Sequence, residues 1–191
     1  MKIEEDGGRG RDMKRAKFAA AVLILIFSST TPARAEMFVQ ACFSPQGRCV
    51  GHILREIAQA KKELLVAVYA FTSDELAGAL VQAKRRGLAV QVILDRDFDG
   101  RTERSKGKFL ETQSISVRRI SGTKPHTTDK DAGLMHQKFA IIDRKNVFTG
   151  SYNWTHSAER FNDENLLHFR DAAPLAEEYR RIFLQLWERK S

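Results

Sequence analysis

The chain has 191 residues, enough for one domain with a substantial hydrophobic core. Apolar residues make up 42% of the chain, and helix-like and strand-like stretches alternate along most of it, which excludes a disordered or fibrous protein. The formal net charge is +8, and it falls to +5 when residues 1–35 are left out. This excess fits either a mildly basic soluble surface or attraction to a polyanion or an anionic lipid surface.

The first 35 residues are arranged like a secretory signal. Basic residues at positions 14, 15 and 17 precede an apolar run at 18–27, and Ala33-Arg34-Ala35 follows as a small-residue cleavage site. The apolar run would be about 15 Å long as a helix, roughly half of a bilayer core, so we do not expect a permanent membrane span. We expect cleavage after Ala35 and export to the periplasm or outside the cell, which leaves residues 36–191 as one domain.

Residues 1–12 are polar, glycine-rich and of mixed charge, which is unusual at the head of a signal peptide. A start at Met13 would give a signal of ordinary shape. We therefore hypothesise that Met13 is the true first residue, which sequencing the N-terminus of the unprocessed precursor would test.

The chain has two cysteines, Cys42 and Cys49, both just after the expected cleavage point. In an exported protein such a close pair favours a disulfide. The alternative is two unpaired small apolar residues. A metal site is disfavoured, because no further cysteine exists and no histidine follows at zinc-finger spacing.

Hydrophobic periodicity predicts alternating helices and strands after residue 50. Strands at 64–71 and 88–95 flank a helix that a cap at Thr72-Ser73-Asp74 begins and Gly87 ends, which indicates a β-α-β unit with a parallel pair. The pattern also predicts helices at 50–62, 108–112 and 174–188, and strands at 115–120, 136–143, 147–151 and 165–169. We expect an α/β domain with a mixed, largely parallel central sheet flanked by helices, and a loop at 121–133.

His136, Lys138 and Asp143 occur at the spacing H-x-K-x4-D, in a stretch predicted to be a strand. Residues two apart on a strand project from the same face, so His136 and Lys138 should lie side by side. Asp143 is seven residues from His136, an odd number, and an unbroken strand would point it the other way. We include Asp143 in the catalytic set with His136 and Lys138, but therefore expect it to brace the local structure rather than to contact substrate.

Gly150, Ser151 and Asn153 follow the same segment, and the last two again share a strand face. An imidazole, an ammonium, a hydroxyl and an amide that converge would suit a phosphoryl group, because the donors stabilise its oxygens and a neutral imidazole can attack phosphorus. The alternative is that His136 is an ordinary structural histidine. Lys138 is harder to explain that way, because a lysine among apolar neighbours is costly unless it is paired.

The segment HQKFAIIDRKNVFTGSYNW resembles the HKD signature of the phospholipase D superfamily. With YAFTSDELAGAL upstream and a single copy of the signature, the chain most resembles the small bacterial endonuclease (Nuc-like) branch. The resemblance implies the phospholipase D/nuclease fold, with His136 as the nucleophile that forms a phosphohistidine. It also implies that Lys138, Ser151 and Asn153 bind the phosphate and that Glu164 orients the histidine and completes the catalytic set.

This chemistry needs a second histidine, and none of the others starts another H-x-K-x4-D signature: His52, His126, His156 and His168. The resemblance therefore implies a symmetric homodimer with one site at the twofold axis, and it implies no metal and no cofactor. A calcium-like run, Asp95-x-Asp97-x-Asp99-Gly100, has Lys106 at its twelfth position and follows a strand. We interpret it as a solvated loop without calcium.

Three different functions are consistent with these residues. The first is a sequence-tolerant endonuclease acting on DNA or RNA. The second is a phospholipase D that hydrolyses phospholipid head groups with the same residues, and the third is a nucleic-acid-binding protein without activity. The intact signature argues against the third. A lipase would favour an exposed apolar rim, and the sequence shows no isolated hydrophobic loop.

Overall fold

The structure, a computed structural model, describes residues 37–123 and 133–189. The predicted signal peptide, the candidate start at Met13 and His126 lie outside these residues. The described part contains seven strands and six helices in one domain: β1 (Phe38–Ser44), α1 (Cys49–Gln59), β2 (Glu63–Val68), α2 (Asp74–Arg85), β3 (Ala89–Asp95), α3 (Arg96–Arg101), α4 (Gly107–Thr112), β4 (Ser116–Ile120), β5 (Lys138–Ile142), β6 (Asn146–Gly150), α5 (His156–Arg160), β7 (Glu164–Arg170) and α6 (Ala173–Glu188).

The strands form one mixed sheet in the order β1-β7-β6-β5-β2-β3-β4. The predicted β-α-β unit is confirmed, since β2 and β3 are parallel and joined by α2, and β3 and β4 are also parallel. The expectation of a largely parallel sheet is wrong, because the other four pairings in the described part are antiparallel. A three-residue turn joins β5 to β6, and only antiparallel neighbours can be connected so tightly.

The two central strands, β2 and β5, are buried on both faces. On one face Val66 and Ala140 belong to a core that α1 and α2 cover. On the other face Leu65 and Phe139 pack with Phe183 of α6. This double burial explains the uninterrupted apolar runs in the sequence, because neither face of these strands meets water.

Strand β1 and the short helices α3 and α5 were not predicted from the sequence. Strand β1 lies at the edge of the sheet and pairs with β7. A disulfide joins Cys42 in β1 to Cys49 at the start of α1 and so links this edge strand to the helical layer. None of the helices described is long and apolar enough to cross a membrane.

The register of the sheet brings several strand termini to one end, which we call the His136 end. Val68 at the end of β2 pairs with Lys138 at the start of β5. The parallel strand β3 ends beside β2, and the antiparallel β6 ends at Gly150 where β7 begins. Residues far apart in sequence therefore meet at the His136 end.

Candidate active site

His136 lies two residues before β5, with its side chain exposed at the His136 end of the sheet. The backbone N–H of Tyr69 donates to the carbonyl of Gln137 over 2.8 Å, which extends the β2–β5 pairing to the residue next to His136. The imidazole lies against the Tyr69 ring, with 4.7 Å between the ring centroids. The end of β2 therefore supports one side of the histidine.

Lys138 is the first residue of β5 and shares the same support. Its Nζ donates to the His136 carbonyl over 3.0 Å and lies 5.3 Å from the centroid of the Tyr69 ring, within cation–π range. Burial lowers the pKa of Lys138, and the nearby charge of Glu164 partly offsets that effect. Tyr69 thus contacts both residues of the H-x-K pair, which the sequence predicts to lie side by side.

The surroundings of His136 favour its neutral form. Although the side chain is largely exposed, the burial of part of the ring lowers the pKa of this imidazole, the positive charge of Lys138 lowers it further, and the carboxylate of Asp95 opposes both effects. A histidine with a lowered pKa is uncharged at neutral pH, and an uncharged imidazole is the form that can attack an electrophile.

Gly150 ends β6 where the chain passes close to β7. Its φ is +149°, and a Cβ at this position would collide with the Asn165 carbonyl, so only glycine fits. The next residue, Ser151, donates its N–H to that carbonyl over 3.1 Å. The Ser151 Oγ accepts hydrogen bonds from Asn165 N at 3.0 Å and from Asn165 Nδ2 at 3.3 Å. These two bonds use the hydroxyl oxygen only as an acceptor, so the hydroxyl can still donate its own hydrogen.

Asn153 lies at the same end of the sheet, where hydrogen bonds to Ala70, in the segment that follows β2, hold it. Its Oδ1 accepts the N–H of Ala70 over 3.3 Å, and Trp154 N donates to the Ala70 carbonyl over 3.0 Å. The hydrogen bonds described for this part of the chain leave the Asn153 Nδ2 group unused. Since Tyr69 bonds to Gln137 on its other side, residues 69–70 bridge the His136 segment and Asn153.

Glu164, the first residue of β7, lies near Lys138 and partly restores the pKa of that lysine. In the described part of the chain its Oε1 accepts a hydrogen bond from Asn162 Nδ2 over 3.0 Å, and no bond from the His136 ring is present. Its predicted role in orienting His136 stays a prediction.

Asp143 lies at the opposite end of β5. Its carboxylate accepts the backbone N–H groups of Lys61 at 2.8 Å, Lys62 at 2.7 Å and Glu63 at 3.2 Å, at the point where the chain enters β2. The structure therefore does not bring Asp143 to the phosphate-binding groups. It gives this carboxylate the expected bracing position, although the reason is that Asp143 lies beyond the end of β5 and not that it faces the other side of an unbroken strand.

No local sequence pattern indicates that Tyr69 supports the site, and the aspartate-rich run predicts that Asp95 begins a solvated loop. That interpretation is wrong, because residues 96–101 form α3 and Asp95 is 1% exposed. The adjacent Asp99 bonds to Ser105 and Arg119. In the residues described there is no group of three or more side chains that could hold a metal ion.

The strand termini of this mixed sheet gather a histidine, a lysine and amide and hydroxyl groups at one end of an α/β domain, an arrangement suited to binding a phosphoryl group. Residues 53–187 match the family model described as "Cardiolipin synthase, PLD-like domain". The chain belongs to the phospholipase D superfamily, as its HKD signature predicts.

Named relatives fall in the same superfamily. Over 149 residues the chain is 37% identical to a mitochondrial cardiolipin hydrolase of Canis lupus familiaris, a match that covers 78% of this chain and 53% of the canine protein. A phospholipase D of Rickettsia felis is 34% identical over the same length, with 78% and 67% covered. The chain thus spans about half the length of the canine relative.

Solved structures confirm the fold. Nuc of Salmonella typhimurium, described as a phospholipase D family member, is 29% identical with a TM-score of 0.70, and the match covers 80% of this chain and 95% of Nuc. NucT of Helicobacter pylori is 28% identical with a TM-score of 0.74, with 80% and 97% covered. The expected Nuc-like relationship is therefore confirmed over nearly the whole of both structures.

Proposed function

We propose that this chain is an exported, metal-independent phosphodiesterase that cleaves nucleic-acid phosphodiester bonds through a phosphohistidine intermediate. The observation that carries the proposal is the placement of His136 and Lys138 on the Tyr69 ring. Asn153 is held on the neighbouring residue, Ala70. A nucleophile and the donors that would neutralise a phosphate are thereby fixed at one end of the sheet.

The reaction has two displacement steps. A neutral ring nitrogen of His136 attacks phosphorus, a P–N bond forms, and the P–O bond to the leaving oxygen breaks. Lys138, Ser151 and the Asn153 amide donate to the non-bridging oxygens, whose charge grows in the transition state. Water then attacks phosphorus and breaks the P–N bond, which regenerates the imidazole and releases a phosphomonoester.

The leaving oxygen needs a proton, which a second histidine would supply and later recover from the attacking water. The other described histidines lie on different elements: His52 on α1, His156 on α5 and His168 buried in β7. We propose that the acid is His136 of a second copy and that the protein works as a homodimer with a single shared site.

Export is supported by two features. The N-terminal sequence has the basic, apolar and small-residue order of a secretory signal. The Cys42–Cys49 disulfide fits an oxidising compartment such as the periplasm or the extracellular space.

A phospholipid substrate is the second candidate, and one structural observation favours it. Three large apolar side chains are exposed near the His136 end: Phe43 at 64%, Phe161 at 73% and Leu134 at 49%. Such a rim cannot be predicted from sequence patterns, because these residues are far apart along the chain. The names of the canine and rickettsial relatives also point to lipid, whereas the similarity to Nuc and NucT extends over most of both structures.

Incubation of the mature protein with supercoiled plasmid DNA and with cardiolipin-containing vesicles, each in excess EDTA, separates the two candidates. We expect nicking of the plasmid, abolished in His136→Asn and retained in the matched control His156→Asn. Lipid hydrolysis without nicking would overturn the nucleic-acid assignment. Dependence of nicking on added metal would overturn the metal-independent mechanism.

The dimer is tested with mixed subunits. Wild type and His136→Asn carrying different affinity tags are co-expressed, and the hybrid dimer is purified through both tags. Since one site would use both histidines, we expect the hybrid to have no turnover. A fully active monomer in sedimentation velocity, or a hybrid with half of the wild-type activity, would contradict the shared site.

A further inference from the structure

Asp95 lies at the His136 end of the sheet, as the last residue of β3, with its side chain 1% exposed. A buried carboxylate is costly unless its oxygens are hydrogen-bonded. Its hydrogen bonds come from three backbone N–H groups, those of Met135, Asp97 and Phe98. The neighbouring Asp99 differs, since Arg119 forms an ion pair with it.

The first connection from Asp95 to the active site runs through the backbone. Asp95 Oδ2 accepts the N–H of Met135 over 2.9 Å, one residue before His136. This stretch lies outside β5, and the hydrogen bonds of the sheet reach only as far as the Gln137 carbonyl. The buried side chain of Met135 and its bond to Asp95 fix the backbone from which the imidazole projects.

The second connection runs through α3. Asp95 Oδ1 caps this helix by accepting Asp97 N at 3.1 Å and Phe98 N at 2.9 Å. The Phe98 ring then lies 5.3 Å from the Tyr69 ring, and Tyr69 lies 4.7 Å from the imidazole. One carboxylate thus fixes the backbone of the histidine and, through Phe98, the aromatic ring against which the histidine rests.

We propose that Asp95 is a positioning residue for His136. Asp95 is buried and does not touch the substrate, and it holds the imidazole in line for attack on phosphorus. The proposal rests on the nucleophilic role given to His136 in the proposed function. The charged groups that act on His136 are Lys138, two residues further along the chain at the start of β5, and Asp95, on β3. Tyr69 supplies the aromatic contact. The negative charge of Asp95 raises the pKa of His136, so the carboxylate acts on the charge of the nucleophile as well as on its geometry.

The test compares wild type with Asp95→Asn, which keeps the size of the side chain and removes its charge. Turnover of a chromogenic phosphodiester is measured from acid to neutral pH, and the His136 ring is titrated by NMR. We expect kcat to fall roughly 100-fold with KM nearly unchanged, as for a displaced nucleophile. We also expect a lower His136 pKa and an acid limb of kcat/KM that moves to lower pH, since more acid is then needed to protonate the imidazole.

Asp99→Asn is the matched control, because Asp99 supports the same region without a bond to the His136 segment. It should lower the melting temperature and leave the acid limb where the wild type has it. Wild-type kcat together with an unmoved His136 titration in Asp95→Asn would overturn the proposal. Absence of turnover in the wild type would instead refute the proposed function, and the NMR titration would still report on Asp95.

Two further measurements cover the case in which Asp95→Asn does not fold. Asp95→Ser keeps an oxygen that can cap α3 and removes the bond to Met135, so it should show the same loss of kcat. Amide exchange of Met135 in the wild type needs no variant. Protection comparable to that of β5 is expected, and fast exchange of this N–H would also overturn the proposal.

Discussion

His136 and Asp143 lie at opposite ends of β5, although both belong to one short signature. His136 precedes the strand and faces the candidate phosphate site, whereas Asp143 follows its last residue, Ile142. Asp143 adopts a φ of 53°, a left-handed conformation that aspartate tolerates, and bonds to the chain entering β2. The signature therefore combines a reactive end and a structural end on one strand.

Replacing Asp143 by alanine should destabilise the protein without changing the chemistry. Three backbone N–H groups at 61–63 would lose their acceptor, and because two of them are exposed and can bond to water instead, the cost is about 1–2 kcal/mol of the free energy of unfolding. Urea denaturation measures the loss, and Asp143→Asn, which keeps one acceptor oxygen, should lose less. A variant of unchanged stability with a shifted pH–rate profile would show that this carboxylate acts in the reaction instead.

Tyr69 should act through its ring rather than its hydroxyl. The ring contacts the His136 imidazole and the Lys138 ammonium, so Tyr69→Ala removes both contacts. Such contacts are worth on the order of 1 kcal/mol each, and kcat/KM should fall roughly tenfold or more. Tyr69→Phe keeps the ring and should stay within about twofold of wild type. Equal losses in the two variants would contradict this assignment.

The central strands of the fold could be predicted because their apolar runs are local signals. Strands β2, β3, β5, β6 and β7 all occur where hydrophobicity predicts them, within a few residues. The direction of pairing could not be predicted, because it depends on contacts between β2 and β5 across about 70 residues. Strand β1 was missed because its sequence lacks a clear alternation of apolar and polar residues. Phe38, Val39 and Phe43 are apolar but exposed in the structure.

Some features of the candidate site could likewise be predicted from local sequence patterns, whereas others depend on contacts between distant strands. The spacing of His136 and Lys138 indicates a shared face because two-residue periodicity is a property of any strand. Tyr69 and Asp95 come from the ends of other strands, and only the register of the sheet brings them to His136. Helix α3 was missed because it has six residues and depends on the Asp95 cap, while Asp95, Asp97 and Asp99 suggest a loop.

Glu164→Gln should change the alkaline side of the pH–rate profile. The negative charge of Glu164 raises the pKa of Lys138, against the lowering caused by burial. Without that charge the pKa of Lys138 falls further, so the lysine loses its proton at a lower pH and phosphate binding weakens earlier as the pH rises. The alkaline limb of kcat/KM should move to lower pH. Glu103→Gln, in an exposed turn, is the control and should leave the limb unmoved.

His168 is a buried histidine that the proposed reaction does not use. It lies in β7 with 2% exposure, stacked on Phe148 at 4.0 Å between ring centroids. In the described part of the chain neither ring nitrogen has a hydrogen-bond partner, and Glu56 is 3.9 Å from Nε2. Burial, and after it the charges of Arg170, His52 and Arg55, together lower the pKa of His168 to about 4.

Acid should therefore destabilise the fold through His168. In the unfolded chain this histidine binds a proton near its ordinary pKa of 6.5, whereas the folded protein resists protonation until about pH 4. Its contribution to stability is fully present above pH 6.5 and is lost as the pH falls through this window, by roughly 3 kcal/mol. Urea denaturation between pH 7 and pH 4 measures the slope. His168→Phe preserves the stack on Phe148 and cannot titrate, so its stability should fall less over this range. An equally steep fall in the stability of the variant would show that other groups cause the acid sensitivity.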